Sequence, residues 1–115
     1  MLPAGSRLRR RADFSSTLRQ ARGVRGAGLL VAHVAPPTDA AATTDARVGF
    51  VVSRAVGPAV TRNRVRRRLR HLVAGLLPGL PPGSRVVIRA LPASASASFA
   101  QLDAALRRAL GPGRP

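Results

Sequence analysis

The chain has 115 residues, of which 20 are basic and four are acidic, and every basic residue is an arginine, so the formal net charge is +16. A chain of this length is expected to form one domain with a modest core, built mainly from aliphatic side chains because the chain has three Phe and no Trp or Tyr. The lack of cysteine excludes disulfides, thiolate metal sites and cysteine nucleophiles, and the large positive charge favours a polyanionic partner.

The N-terminal third of the chain predicts one helix followed by one strand. Residues 12–20 are predicted to be helical, with Phe14 and Leu18 four positions apart on one face. The glycine-rich segment 23–28 predicts a turn, and the short apolar run LLVAHV at 29–34 predicts the first strand. Residues 1–6, before the first helix, are expected to be frayed.

The middle of the chain predicts two more strands. A polar segment at 36–46 is expected to be a mobile loop. Residues 47–53 follow as a strand with two chemically different faces. One face is formed by Val48, Phe50 and Val52, and the other by Gly49, Val51 and Ser53. Residues 59–60 are a candidate for a third, very short strand before the next helix.

The C-terminal half predicts two helices around one strand. One helix starts near Thr61 and ends in the proline- and glycine-rich segment 76–83, and RVVIRA at 85–90 predicts a strand. Ser98 and Gln101 have the spacing of a capping box that opens the last helix. Its predicted apolar stripe consists of Phe99, Leu102, Leu106 and Leu110, and residues 111–115 are expected to be frayed.

The predicted order is helix, strand, strand, strand, helix, strand, helix. This order favours an α+β fold, a two-layer sandwich of a small, mostly antiparallel four-stranded sheet with three helices, as a single domain over 1–115. No apolar stretch has the length of a signal peptide or of a membrane span, which predicts a cytoplasmic protein with no membrane partner. No feature predicts a small-molecule substrate.

The segment TRNRVRRRLRHLVAGLL at 61–77 carries the strongest functional signal, because six of the nine residues 62–70 are arginines. At the helical period its apolar side chains gather on one stripe: Val65, Leu69, Leu72, Val73 and Leu76. Asn63, Arg67, Arg70 and His71 point away from that stripe, and Arg64, Arg66 and Arg68 lie on its flanks. A merely solvated helix face would mix charges of both signs, and this helix has no acidic residue. The pattern therefore predicts binding to nucleic acid.

Three segments resemble the protein subunit of bacterial ribonuclease P: RVGFVVSR at 47–54, GPAV at 57–60, and RNR at 62–64 with its basic helix. The similarity extends to residues 8–14 and to RVVIRA with the final helix, so it covers most of the chain. The resemblance implies a small α/β sandwich that joins a catalytic RNA, and the pair removes the 5′ leader of precursor tRNA to give mature tRNA 5′ ends. The resemblance further implies that the RNA, and not the protein, carries out the cleavage.

The resemblance also implies two sets of site residues. The catalytic RNA is expected to contact Arg62, Asn63, Arg64, Arg66, Arg67 and Arg70. A cleft between the first helix and the sheet is expected to hold the leader against Phe14, Leu18, Val51, Ser53 and Arg54. Phe14 can either stack on an unpaired base or pack in the core. This chain departs from the family at three places. Ala55 stands where the family often has a basic residue, and Pro58 stands where it often has Asn. The strand at 29–34 lacks the aromatic residue that is often found there.

The acidic residues do not predict a catalytic centre in the protein. Metal-dependent RNA cleavage needs carboxylates that converge on a cation, and the four acids, Asp13, Asp39, Asp45 and Asp103, are scattered. Asp13 is interpreted as a helix cap, and neither His33 nor His71 has an acid nearby to orient it. Mg²⁺ is expected with the RNA subunit, where phosphates supply the oxygen ligands; no cofactor is expected on protein side chains alone.

Two alternatives remain from the residues themselves. A ribosomal or other structural RNA-binding protein would use the same charge and fold without taking part in cleavage. A basic DNA-binding protein is the other, although the sequence shows no helix-turn-helix pair. Stimulation of a catalytic RNA distinguishes the first of these from a ribonuclease P subunit, and tight binding to duplex DNA distinguishes the second.

Overall fold

A computed structural model describes residues 11–36 and 46–110, which form three helices and four strands. The helices are α1 (Arg11–Gln20), α2 (Ala59–Ala74) and α3 (Phe99–Leu110), and the strands are β1 (Arg22–Gly26), β2 (Leu30–Ala35), β3 (Arg47–Val51) and β4 (Arg85–Ala90). Short 3₁₀ turns lie at Arg54–Val56, Leu77–Gly79 and Pro92–Ser96. The termini predicted to be frayed, and all of the predicted mobile loop except its first and last residues, lie outside the described residues.

The four strands form one mixed sheet in the order β1-β2-β4-β3. β1 pairs with β2, and β2 with β4, in antiparallel orientation, whereas β3 and β4 run parallel. In the register of the sheet, Gly23, His33, Val87 and Gly49 lie opposite one another in a row across the four strands. Parallel neighbours need a crossover connection, and α2 forms part of the connection between β3 and β4.

The alternation of side chains along the central strands assigns the helices to the two faces of the sheet. Leu30, Val86 and Ile88 belong to the same buried hydrophobic cluster as side chains of α2 and α3. The side chain of Arg85 points to the face opposite that of Val86, and its Nη1 donates a 3.0 Å hydrogen bond to Oγ of Ser16 in α1. The sheet therefore lies between α1 on one side and α2 with α3 on the other, and the predicted two-layer sandwich is wrong.

The glycine-rich segment 23–28 is mostly strand, and the predicted turn there is wrong. β1 pairs with β2 along its length, and the reversal takes only a few residues, beginning at Ala27 and Gly28 with φ angles of 55° and 75°. Glycine is the usual sign of a turn because it adopts positive φ without strain, but here pairing with β2 outweighs that local preference. β1, and not the predicted strand at 59–60, is the additional strand of the sheet.

Residues 59–60 open helix α2, so the short strand predicted there is wrong. Pro58 precedes the helix with φ −66° and ψ 168°, and its carbonyl oxygen accepts a 2.9 Å hydrogen bond from the backbone N–H of Arg62. Proline is favourable at a helix N-terminus because its φ is already fixed and its missing N–H is not needed there. Val60 is 77% exposed, so its apolar side chain does not mark a buried strand.

Helix α3 begins at the capping box that the sequence predicts. The backbone N–H of Ser98 donates to Oε1 of Gln101 at 2.8 Å, and the backbone N–H of Gln101 donates to Oγ of Ser98 at 3.1 Å. Leu102, Leu106 and Leu110 are buried as predicted, but Phe99, the first member of the predicted apolar stripe, is 43% exposed. The first turn of α3 is therefore fixed by hydrogen bonds while its aromatic side chain faces partly outward.

Gly26 in β1 lies where no side chain can be accommodated. A Cβ atom there would be 2.6 Å from Cδ1 of Leu30 and 2.7 Å from the backbone oxygen of Ala105 in α3. We expect Gly26→Ala to lower the free energy of unfolding by ~2 kcal/mol, because backbone as well as a side chain must shift. Gly23→Ala in the same strand is the control, since its Cβ would meet His33 at an ordinary 3.5 Å. Equal urea midpoints for the two variants, measured by circular dichroism, would contradict this packing.

Candidate RNA interface

Helix α2 is oriented by the side chains that face the sheet. Val65, Leu69 and Val73 are at most 1% exposed and recur at helical spacing, so the predicted stripe is confirmed at these positions. Leu72 is half-buried, and Leu76 is buried in the turn that follows the helix. With this side of α2 held against the core, the opposite side must face outward.

The outward surface of α2 is formed by Asn63, Arg66, Arg67, Arg70 and His71, which we call the arginine ridge. Asn63, Arg67 and His71 are exposed, and Arg66 and Arg70 are partly exposed. The five side chains line a concavity of about 560 Å³. Nη1 of Arg66 donates to Oδ1 of Asn63 at 3.1 Å, so Asn63 orients one of the cations. No residue of α2 is acidic, and the ridge thus presents guanidinium groups without carboxylates from its own helix.

The other arginines of α2 form hydrogen bonds within the protein. Arg62 donates from Nε to the carbonyl oxygen of Gly57 at 3.0 Å. Arg64 donates to the carbonyl oxygen of Ala95 at 3.1 Å, and Arg68 donates to that of Ala97 at 3.2 Å. Arg64 and Arg68 therefore tie α2 to the segment that leads into α3. A guanidinium has five N–H donors, so Arg62 and Arg64 keep donors for a second partner.

The predicted leader cleft lies on the sheet face that α1 covers. Phe14 is half-buried and Leu18 is 38% exposed, and α1 packs over β2 and β4. Val51 ends β3, the edge strand beside β4, and is partly exposed. Ser53 and Arg54 are exposed at the start of the 3₁₀ turn that follows. The structure thus places Phe14 and Leu18 on the helix and the other three residues at or beyond the end of the edge strand.

Arg89 and His33 also lie on this face, although the sequence analysis did not predict them as cleft residues. Arg89 of β4 is exposed and lies opposite Val51 on one side and Val31 on the other. His33 is half-buried two residues further along β2 and shares the face of Val31. The alternation of side chains between the two faces of β2 and β4 would have predicted that both residues lie on this face. The sheet face under α1 therefore carries an imidazole ring in β2.

The environment of His33 disfavours the charged form of its ring. Burial lowers the pKa of the His33 imidazole from its ordinary value of 6.5, and the positive charge of Arg89 lowers it further. A neutral imidazole has one N–H donor and one acceptor nitrogen. His33 can therefore act as a flat, hydrogen-bonding surface in the cleft without adding to the positive charge.

The acidic side chain that the structure describes is engaged in an ion pair. Oδ1 of Asp103 lies 3.0 Å from Nε of Arg107, one turn along α3. Within residues 11–36 and 46–110, His, Cys, Asp and Glu side chains form no group of three or more that could hold a metal ion. In the same residues, no helix is both long and apolar enough to cross a membrane. The side chain of Asp13 and all of Asp39 and Asp45 lie outside the described residues.

Comparison with known proteins identifies the family. A mixed sheet with helices on both faces and an arginine-rich crossover helix define a small, basic α+β protein. The family model described as Ribonuclease P matches residues 2–112, and the chain belongs to this family. The ribonuclease P protein component of Acidothermus cellulolyticus is 50% identical over 111 residues, covering 96% of this chain and 90% of that protein. That of Streptomyces bikiniensis is 52% identical over 122 residues, covering 98% of each.

Solved structures share the fold at lower identity. The RNase P protein of Staphylococcus aureus superposes with a TM-score of 0.78 at 20% identity, over 91% of this chain and 92% of that one. The RNase P protein of Thermotoga maritima gives a TM-score of 0.76 at 22% identity, over 91% and 94% of the two chains. The family match and the relatives at 50% and 52% identity, and not this likeness of fold, show that the chain is a subunit of ribonuclease P, the holoenzyme that cleaves tRNA precursors. The family match sets aside the ribosomal and DNA-binding alternatives.

Proposed function

We propose that the arginine ridge binds the catalytic RNA of ribonuclease P, with Arg62 and Arg64 contributing from the side of the helix. The observation that carries this proposal is the outward display of Arg66, Arg67 and Arg70 on a helix without acidic residues. Guanidinium groups pair with phosphate oxygens in a bidentate manner. Such contacts neutralise the RNA backbone and release its counterions, which makes the ridge an electrostatic clamp on folded RNA.

The second part of the proposal concerns the substrate. The α1-covered face, with Phe14, Leu18 and Val51 beside Ser53 and Arg54, holds the 5′ leader of precursor tRNA. A single strand is bound by flat apolar surfaces that contact its bases and by cations that follow its backbone. Partly exposed apolar side chains next to an exposed arginine provide both. Holding the leader on the protein and the catalytic RNA on the ridge aligns substrate and catalyst in one complex.

Catalysis in this proposal belongs to the RNA. Cleavage of a phosphodiester with metal assistance needs oxygen ligands that place Mg²⁺ at the reacting phosphate. Phosphates of the RNA subunit supply such ligands, and the arginines lower the repulsion between catalyst and substrate backbones. The protein then acts by positioning and by charge neutralisation, and it is a cytoplasmic partner of both RNAs.

The salt dependence of binding to the cognate catalytic RNA tests the electrostatic part. If the five arginines of this proposal contact phosphates, the slope of log affinity against log salt concentration should be roughly −3.5, at about 0.7 per contact on single strands. Arg67→Ala should make the slope shallower by about 0.7, because one contact is lost. Arg108→Ala on α3 removes the same charge away from the ridge and should leave the slope unchanged. An affinity that barely changes with salt, or equal slopes for both variants, would show that the ridge is not the contact.

A further inference from the structure

Phe99 and His71 form an aromatic pair at the edge of the arginine ridge. Their ring centroids are 5.8 Å apart and the ring planes are inclined by 49°, which is a favourable arrangement for two aromatic rings. His71 belongs to the ridge and lines its concavity. The pair therefore adds an aromatic surface, shared with the first turn of α3, to the arginine ridge.

The pair is exposed although it lies where two helices meet. Phe99 is 43% exposed and His71 is exposed, whereas Leu102 and Leu106 of the same helix are fully buried. A phenylalanine that served only to pack α3 against α2 would lose most of its exposed surface. Phe99 thus leaves a large part of an aromatic side chain in contact with solvent, beside a histidine that lines the concavity of the arginine ridge.

The position of Phe99 is fixed by hydrogen bonds on both sides. The capping box of Ser98 and Gln101 fixes the backbone around it. Just before it, the carbonyl oxygen of Ala97 accepts a hydrogen bond from Arg68 of α2. A binding surface that is already ordered loses little conformational entropy when its partner arrives.

We propose that the His71–Phe99 pair is a stacking platform for an unpaired base of the catalytic RNA, whose backbone lies on Arg67 and Arg70. The inference rests on the proposed function of the ridge and adds a contact of a different kind to it. In an RNA duplex the faces of the bases are stacked on one another, so an exposed ring next to cations fits a base that has left a helix. The platform selects for an unpaired nucleotide at one point of the interface, which phosphate contacts alone cannot do.

Substitutions at position 99 test the platform by binding to the cognate catalytic RNA. Phe99→Leu keeps an apolar side chain of similar volume but removes the aromatic face, and we expect about tenfold weaker binding, within the range for loss of one stacked base. Phe99→Trp should bind at least as well as the unchanged protein. The salt slope should stay the same in both variants, because no phosphate contact is removed. Thermal melts of both variants should match that of the unchanged protein, since Phe99 is not part of the buried core.

Fluorescence gives a second, independent measurement. The chain contains no Trp or Tyr, so a tryptophan at position 99 is the only indole in the protein. Stacking of a base on that indole should quench its emission strongly when the catalytic RNA is added. Ala104→Trp is the matched control, because residue 104 is exposed on the same helix and is turned ~140° away from residue 99. Its emission should change little.

The outcomes separate the platform from the ridge. If Phe99→Leu binds normally, or if the tryptophan at 99 is quenched no more than that at 104, while Arg67→Ala still weakens binding, the platform is wrong and the ridge stands. If neither Phe99→Leu nor Arg67→Ala weakens binding, the proposed function of the ridge fails and the platform fails with it. Weaker binding by Phe99→Leu with specific quenching at position 99 supports the platform.

Discussion

The double variant Arg67→Ala with Arg70→Ala is expected to lose the stimulation that the protein gives to its catalytic RNA at low Mg²⁺. Both side chains belong to the arginine ridge and line its concavity. Loss of two charge-assisted contacts to phosphate should weaken binding about 100-fold. The measurement is the rate of precursor tRNA cleavage by the cognate catalytic RNA, with and without protein, at a protein concentration that saturates the unchanged complex.

A matched double variant makes this test specific. Arg107→Ala with Arg108→Ala removes the same charge from the exposed side of α3, and we expect it to stimulate cleavage nearly as well as the unchanged protein. Raising Mg²⁺ should restore cleavage with the ridge variant, because the cation takes over the screening of phosphates. Full stimulation by the ridge variant at low Mg²⁺ would mean that the RNA lies against another surface.

Leu69→Ala is expected to have the largest effect on stability. Leu69 is fully buried in the middle of α2, on the side facing the sheet, and removing its side chain leaves a cavity that should cost ~2–5 kcal/mol. Such a loss is a large fraction of the total stability of a small domain. Urea unfolding followed by circular dichroism in phosphate buffer, where anions screen the net charge of +16, measures it.

The control for Leu69→Ala lies on the same helix. Val60 is 77% exposed, so Val60→Ala should change the free energy of unfolding by less than about 0.5 kcal/mol. Because Leu69 is on the side of α2 opposite the ridge, saturating catalytic RNA should restore much of the lost stability by mass action. Equal midpoints for the two variants would show that α2 is not anchored to the core through Leu69.

Local sequence signals predicted the helices and the capping box well. The spacing of Val65, Leu69 and Val73 gives the orientation of α2, because a helix repeats every 3.6 residues and only one of its sides is apolar. Ser98 and Gln101 are three positions apart and hydrogen-bond to each other at the first turn of α3. In both cases the signal can be read from residues a few positions apart, although the burial that stabilises α2 comes from its packing on the rest of the core.

The features that could not be predicted from local sequence patterns depend on contacts between distant parts of the chain. Gly23 and Gly26 indicated a turn, but β1 is stabilised by pairing with β2 and by the close approach of α3. The parallel pairing of β3 with β4 and the location of α1 on the opposite face have no local signal.

Contacts between distant residues also decide which arginines of α2 bond within the protein and which face outward. Composition does not distinguish Arg64, whose partner is the carbonyl of Ala95 some 31 positions away, from Arg67 on the outward surface. Phe99 fitted the apolar period of α3, yet the first turn of that helix extends past the core. Periodicity indicates which side of a helix is apolar, and the neighbouring elements decide how far the core reaches along it.

The parallel arrangement of β3 and β4 has a consequence for the order of events during synthesis. Because α2 belongs to the connection between these two neighbours, its place on the sheet is complete only when β4 has been made and paired. A nascent chain that stops before β4 carries the arginines without the surface that arranges them. On the proposed function of the ridge, recognition of RNA by shape therefore follows the synthesis of β4, and contacts with RNA before that point depend on charge alone.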